Sequence, residues 1–254
     1  MPLKSRENYA RARSCFGYAL SILLTACAAE RSPVASTKAP TKAARAPSAV
    51  AAPEPSAALP VTSRLSAQSY RCNLVIGLSP TAEWFEAGFE ELVEDARWQA
   101  LVRPHTFVED WADPGSAAWS APLQSPCEER AAEPERVLFF AADWHYKSEN
   151  DWITGLTAAV NALRVHYPSA REIQLLSMLR APGNVSCGDA KGVVEPFVDR
   201  AMERVSAQFQ ALVRVGPRFE VPACAAFEKG GPHFSAEGKK LVAKLLADYY
   251  AGDL

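Results

Sequence analysis

Residues 136–142 read RVLFFAA and residues 172–179 read EIQLLSML. Both runs are apolar on consecutive residues, so a strand built from either would bury both faces. Strands of that kind belong to parallel sheets covered by helices on each side. Further strand-like runs are CNLVIGL at 72–78, a weaker one at His105–Val108 and a short one around Leu212–Val215. Helical spacing links Phe85, Phe89, Leu92, Val93 and Ala96, and then Ile153, Leu156, Val160, Leu163 and Tyr167. It recurs over Val198, Met202, Val205, Phe209 and Leu212, and over Leu241, Val242, Leu245, Leu246 and Tyr249. Amphipathic helices alternating with strands predict a three-layer α/β sandwich with a mostly parallel sheet and right-handed crossovers. The stretch Glu109–Glu135, rich in Pro, Trp and charge, reads as a long irregular connection, and such loops often carry function.

The chain ahead of this pattern reads differently. Lys4, Arg6, Arg11 and Arg13 precede a short apolar run, Phe16–Leu24, that is too short to span a bilayer as a mature helix. The run ends in Leu24, Thr25, Ala26 and Cys27, which resembles the lipobox of bacterial lipoproteins. That resemblance implies cleavage before Cys27 and lipidation of Cys27; an ordinary secretory signal is the alternative. Ala28 is compatible with outer-membrane sorting. From there to about Ser69 the chain is Ala, Pro, Ser and Thr with scattered Lys and Arg, which cannot bury a core and suits an extended tether. The expected organisation is a signal peptide over 1–26, a lipidated cysteine and tether over 27–69, and one domain over 70–254. The expected address is the bacterial cell envelope, lipid-anchored and facing the periplasm or outer membrane.

Once Cys15 leaves with the signal and Cys27 takes lipid, four cysteines remain, and an even remainder in an oxidising compartment suggests disulfides. Three connectivities are open; Cys187 with Cys224, both in loops after late strands, and Cys72 with Cys127 are preferred. No Cys/His spacing points to zinc. Taking four basic and one acidic residue of the leader from 27 and 29 leaves 23 and 28, a net charge of −5. Mild acidity without a basic stripe argues against a nucleic-acid partner.

Two blocks carry the chemistry. Ser79 lies in GLSPT (77–81) after the first strand, and His233 lies in GPHFSAEG (231–238) before the last helix. A hydroxyl becomes a nucleophile when a base takes its proton, and open α/β sheets build sites from loops at strand C-termini. With the order of elements, these blocks resemble the SGNH hydrolase, or GDSL-like esterase, superfamily. The resemblance implies a flavodoxin-like sheet, Ser79 as nucleophile, His233 as base and an ester as substrate. HFSAEG followed by KKLVAKLLADYY is the strongest local match, although Ser235 also suits a helix cap and Glu237 its first turn.

The chain departs from the family pattern where the site would be completed. The aspartate three residues before the histidine is replaced by Gly230, which leaves Glu228 as the nearest carboxylate and a Ser/His dyad as the expected machinery. No glycine follows the second expected strand, where Glu109 and Asp110 stand. After the third strand Asp143 lies nearest the expected oxyanion asparagine, and an aspartate carboxylate repels an oxyanion. Asn150, a few residues on, is either that donor or a helix cap. Asp143 and His145 form a DxH lacking further ligands at metal spacing, so no metal and no cofactor is expected. His105 and His166 read as structural, the latter near a helix C-terminus. Trp111, Trp119, Trp144 and Trp152 cluster around the expected site as an aromatic wall or as rim packing.

These readings describe an envelope-anchored, monomeric serine esterase acting on an acylated carbohydrate or small acyl ester. A catalytically inactive domain binding envelope glycan or a protein partner is the alternative. Specificity is expected in Glu109–Glu135 and Ala181–Gly192.

Overall fold

A computed structural model describes residues 70–93, 97–189, 192–229 and 232–251. The leader, Cys27, the tether, Ala96 and Gly230 lie outside the described residues. The continuous apolar runs form the centre of a five-stranded, wholly parallel sheet in the order β2-β1-β3-β4-β5. The strands are β1 (Asn73–Gly77), β2 (Trp98–Val102), β3 (Arg136–Ala141), β4 (Glu172–Ser177) and β5 (Val213–Val215). This is the flavodoxin-like doubly wound order, whose winding reverses between β1 and β3.

Helices cover both faces, as the apolar strands require. On one face α3 (Val108–Ala112), α4 (Glu149–His166) and α5 (Pro196–Gln208) bury Trp111, Trp152, Leu156, Val160, Met202 and Val205 against Leu74, Phe139 and Leu175. On the other, α1 (Ser79–Trp84), α2 (Glu90–Val93) and α6 (Ala236–Tyr250) bury Trp84, Val93, Val242 and Leu246 against Val75, Leu138 and Phe140. Between α1 and α2 the chain passes through Phe85–Phe89, where Gly88 at φ +103 takes a conformation that side chains rarely adopt. Phe85 and Phe89 stay buried through that distortion, so their helical spacing is legible although the helix is not straight.

Two expectations require correction. The second strand is Trp98–Val102, not His105–Val108. Phe107 precedes α3, and its backbone N–H donates to Asp110 Oδ2 at 2.7 Å, so the residues read as extended start a capped helix. The connection Glu109–Glu135 is not a loose loop either. Trp111 and Ala118 are buried in the core, and Gln124 pairs with Ala100 on the edge strand. Both preferred disulfides are present, Cys72–Cys127 and Cys187–Cys224.

Candidate active site

The winding reversal opens a cleft of about 670 Å3 at the C-terminal ends of the strands. Its wall takes Leu78 and Ser79 after β1, His105 and Phe107 after β2, and Asp143, Trp144, Tyr146 and Lys147 after β3. Ser177 and Met178 at the end of β4, Trp152 on α4, Val193–Glu195 ahead of α5, Phe197 and Val198 in its first turn, and Pro232 and His233 complete it. The fold therefore brings Ser79 and His233 into one cleft from positions more than 150 residues apart.

Ser79 is the first residue of α1, with Pro80 behind it in the first turn. Its hydroxyl makes no hydrogen bond among the described residues, and its backbone N–H has no acceptor within the helix at that position. Gly77 matters here, because a Cβ on it would overlap the side chain of Thr81, which is buried beneath the turn. His233 is held by Glu83, whose Oε1 lies 2.9 Å from Nδ1 and whose Oε2 accepts from the Phe234 backbone N–H at 3.0 Å. A carboxylate facing Nδ1 requires the ring hydrogen there and leaves Nε2 free to accept a proton. Lys239 Nζ, from α6, also lies 3.4 Å from Glu83 Oε1. The Glu83 side chain is 16% exposed and that of His233 36%. Below His233, the Ser235 hydroxyl caps α6, accepting from the Gly238 N–H at 3.1 Å.

Glu83 was not singled out in the sequence. It lies four residues after Ser79 on an amphipathic helix, where an acid reads as solvated surface. The only sequence signal is that i, i+4 residues share a helix face. Glu228 does not face the imidazole nitrogen that Glu83 occupies. Its backbone N–H donates to the His233 carbonyl, and the residue lines a separate cavity beside Cys187 and Cys224.

The other expected site residues are dispersed. With β2 ending at Val102, the loop that follows it places His105 at φ +59, so a histidine holds the left-handed geometry where a glycine was sought. His105 lines the cleft and is not a strand residue. Asn150 is exposed in the first turn of α4, whose caps are Ser148 and Asp151, so it is neither the cap nor a wall residue. Trp144 and Trp152 line the cleft, whereas Trp111 is core and Trp119 stacks on His166 at 4.2 Å. The wall draws nothing from residues 109–135.

Asp143 does line the cleft. Its Oδ1 accepts from the backbone N–H groups of His145 at 2.7 Å and Tyr146 at 3.3 Å. Its side chain has 0% exposed surface, and Oδ2 has no hydrogen-bond partner among the described residues. Asp143, Glu109 and His145 form the sort of cluster that holds a metal, with His145 Nδ1 3.5 Å from Asp143 and 3.3 Å from Glu109. However, the Trp144 indole, which only donates, points at His145 Nε2 from 2.6 Å. The ring hydrogen then sits on Nδ1 between the carboxylates, where a cation would need a lone pair.

No protein-family model matches the chain, and no curated protein matches it. Among solved structures, a carbohydrate esterase family 3 from Talaromyces cellulolyticus aligns at a TM-score of 0.42 and 12% identity, covering 72% of this chain and 99% of that one. A likeness this distant assigns no residue, so the site stands on its own geometry.

Proposed function

We propose that the protein is a serine hydrolase cleaving a carboxylic ester, with Ser79 as nucleophile, His233 as general base and Glu83 as the orienting acid. The observation that carries this reading is the 2.9 Å contact of Glu83 with Nδ1 of His233, which lines the same cleft as Ser79. Ser79 and Glu83 are one helical turn apart on one face of α1, about 6 Å between Cβ atoms. A single imidazole packed on that face can serve both, as an acid–base–nucleophile relay requires.

In the first half-reaction His233 Nε2 takes the Ser79 proton while Oγ bonds the acyl carbon. The ester C–O bond then breaks, and the alcohol leaves with that proton. In the second, water gives a proton to His233 and its oxygen to the acyl carbon. The Oγ–C bond breaks, Ser79 regains the proton and the acid departs. The Ser79 backbone N–H at the start of α1 is available to the developing oxyanion. A resemblance to SGNH esterases, with the acid moved from beside the histidine to beside the serine, accommodates this arrangement. An acylated carbohydrate or small acyl ester is the corresponding substrate class. The lipobox-like Leu24–Cys27 supports anchoring to a bacterial envelope membrane through lipid on Cys27, and two disulfides suit an oxidising compartment.

A fluorophosphonate probe tests the nucleophile. The wild type is expected to label, and Ser79→Ala is expected neither to label nor to hydrolyse p-nitrophenyl acetate. Labelling that persists in Ser79→Ala rejects Ser79, and a silent wild type in both assays rejects the hydrolase. The second reading is a binding domain for envelope glycan or a protein partner. Asp143 favours it, because its carboxylate stands where an oxyanion donor was sought.

A further inference from the structure

The proposed reaction makes no use of the aromatic side chains that line the cleft beside Ser79. Trp144 is 61% exposed and Val193 37%, while Tyr146 and Phe197 are half-buried, and all four line the wall. Large apolar side chains left open to water together mark a surface that a ligand covers. The two rings after β3 are held in place. Phe107, itself buried, packs on Trp144 with ring centroids 4.2 Å apart, and the Trp144 indole N–H donates to His145 Nε2 at 2.6 Å. Trp152, buried on α4, meets Tyr146 edge-on at 5.8 Å. Rings fixed before a ligand arrives lose little freedom when it binds.

Gly155 shows that the place of Tyr146 is built into the helix. It is buried within α4, where glycine is a poorer helix former than alanine. A Cβ there would come within 2.4 Å of Tyr146 Cε2 and 2.5 Å of its hydroxyl oxygen. The helix lacks a side chain where the phenol lies, and any substituent would push the ring off α4. The polar groups of the same wall are mostly engaged. Asp143 has no exposed side-chain surface, the Lys147 ammonium donates to the Trp144 carbonyl, and the Ser177 hydroxyl accepts from Arg180 at 3.4 Å. Outside the proposed relay, His105 and Glu195 remain. A sugar ring would leave most of its hydroxyls without partners here, whereas an aromatic ring packs on other rings and needs no hydrogen bond.

We propose that the cleft recognises an ester carrying an aromatic group, which packs against Trp144, Tyr146 and Phe197. That the ligand is an ester rests on the hydrolase reading above; recognition of the aromatic ring stands apart from it.

The Trp152 indole N–H gives an NMR signal inside the cleft wall, so binding is measurable without turnover. The protein is titrated with 3-phenylpropan-1-ol, 3-cyclohexylpropan-1-ol, propan-1-ol and methyl glucoside. Phenylpropanol is expected to bind at least tenfold more tightly than propanol, in keeping with burial of one ring, and no more weakly than its cyclohexyl analogue. Trp144→Ala, at an exposed position, is expected to cut the phenyl preference severalfold. Gly155→Ala, which displaces Tyr146, is expected to do the same, and the Trp144 variant maintains the test if this one does not fold. Equal binding of phenylpropanol and propanol overturns the proposal, as does tighter binding of the cyclohexyl compound or the glucoside, or a preference unchanged in folded Trp144→Ala. Turnover separates the two readings. Acid release from methyl 3-phenylpropanoate or phenethyl acetate at least tenfold faster than from ethyl acetate supports both, and the faster of the two tells whether the ring belongs to the acid or to the alcohol. Equal rates on all three esters remove the aromatic site and keep the hydrolase. Phenylpropanol preference without hydrolysis of any ester does the reverse.

Discussion

The two edges of the same sheet are built to opposite rules. At the N-terminal edge, charged and aromatic groups close on one another. Glu135 accepts from the Arg71 backbone N–H and guanidinium, both at 2.9 Å, with Arg171 and Arg130 each 3.9 Å away. Arg136 donates to Asn73 at 2.8 Å, and its guanidinium lies 4.6 Å over the Tyr70 ring and 5.2 Å over those of Trp98 and Tyr250. Tyr70 donates to Glu172 at 2.9 Å, and burial followed by that acid pushes its phenol up to about 12. The Cys72–Cys127 disulfide ties this edge covalently. At the C-terminal edge, by contrast, the hydroxyl of Ser79 and Oδ2 of Asp143 stand without partners among the described residues, and His105 holds left-handed backbone. Paired charges close the first edge, where the buried Trp98 indole N–H alone lacks a partner among the groups named, and at the second edge a cleft opens beside Ser79.

That contrast breaks most sharply at the disulfide. Replacing Cys72 and Cys127 together with alanine removes a cross-link spanning a sequence separation of 55, which the chain-entropy model values at about 4 kcal/mol. The expected outcome is a large fall in denaturant midpoint with turnover per folded molecule retained; lost turnover in folded protein would dissolve the division between edges.

A smaller, opposite effect is expected of Glu83→Gln. Turnover should fall on the order of a hundredfold through kcat with KM little changed, as for an orienting acid, and the melting temperature should hold. Glu228→Gln should stay within twofold of wild type in the same assay, and an equal loss in both variants would deny Glu83 its assigned part.

Glu135→Gln is expected to be the mildest, costing about 2 kcal/mol of stability at neutral pH and no activity. Burial alone would raise this carboxyl, but the hydrogen bonds and charge of Arg71, with Arg171, outweigh it and hold it below the ordinary 4.5. A lowered folded value means the contribution is present above about pH 4.5 and is lost as pH falls through the lowered value. Acid melts of wild type and variant should therefore converge at low pH, and a gap that persists there would refute the account.

The strands of the sheet centre were legible because burial on both faces leaves a mark along all of RVLFFA and at Ile173, Leu175 and Leu176 of EIQLLS. WQALV gives little strand signal because it closely follows a helical pattern, while HTFV, β-rich in composition, is diverted by the Asp110 cap into α3. That Ser79 and His233 line one cleft was legible from their place at strand and helix ends. Glu83 was hidden because its partner is 150 residues away, and only the docking of α6 beside α1 brings them together. Asp143 was found, but that one of its oxygens is buried and unpaired depends on packing alone.

On the proposed reading, one helix carries both the serine and the acid, and a single distant group has to be delivered, the imidazole of the C-terminal segment. The segment could then be severed and returned. A nick between β5 and Cys224 would divide the chain into a piece with two of the three groups and a piece with the third, still joined through Cys187–Cys224. On the hydrolase reading, such a nicked molecule would report thiol reduction as lost turnover, its two pieces being held together by one sulfur bridge.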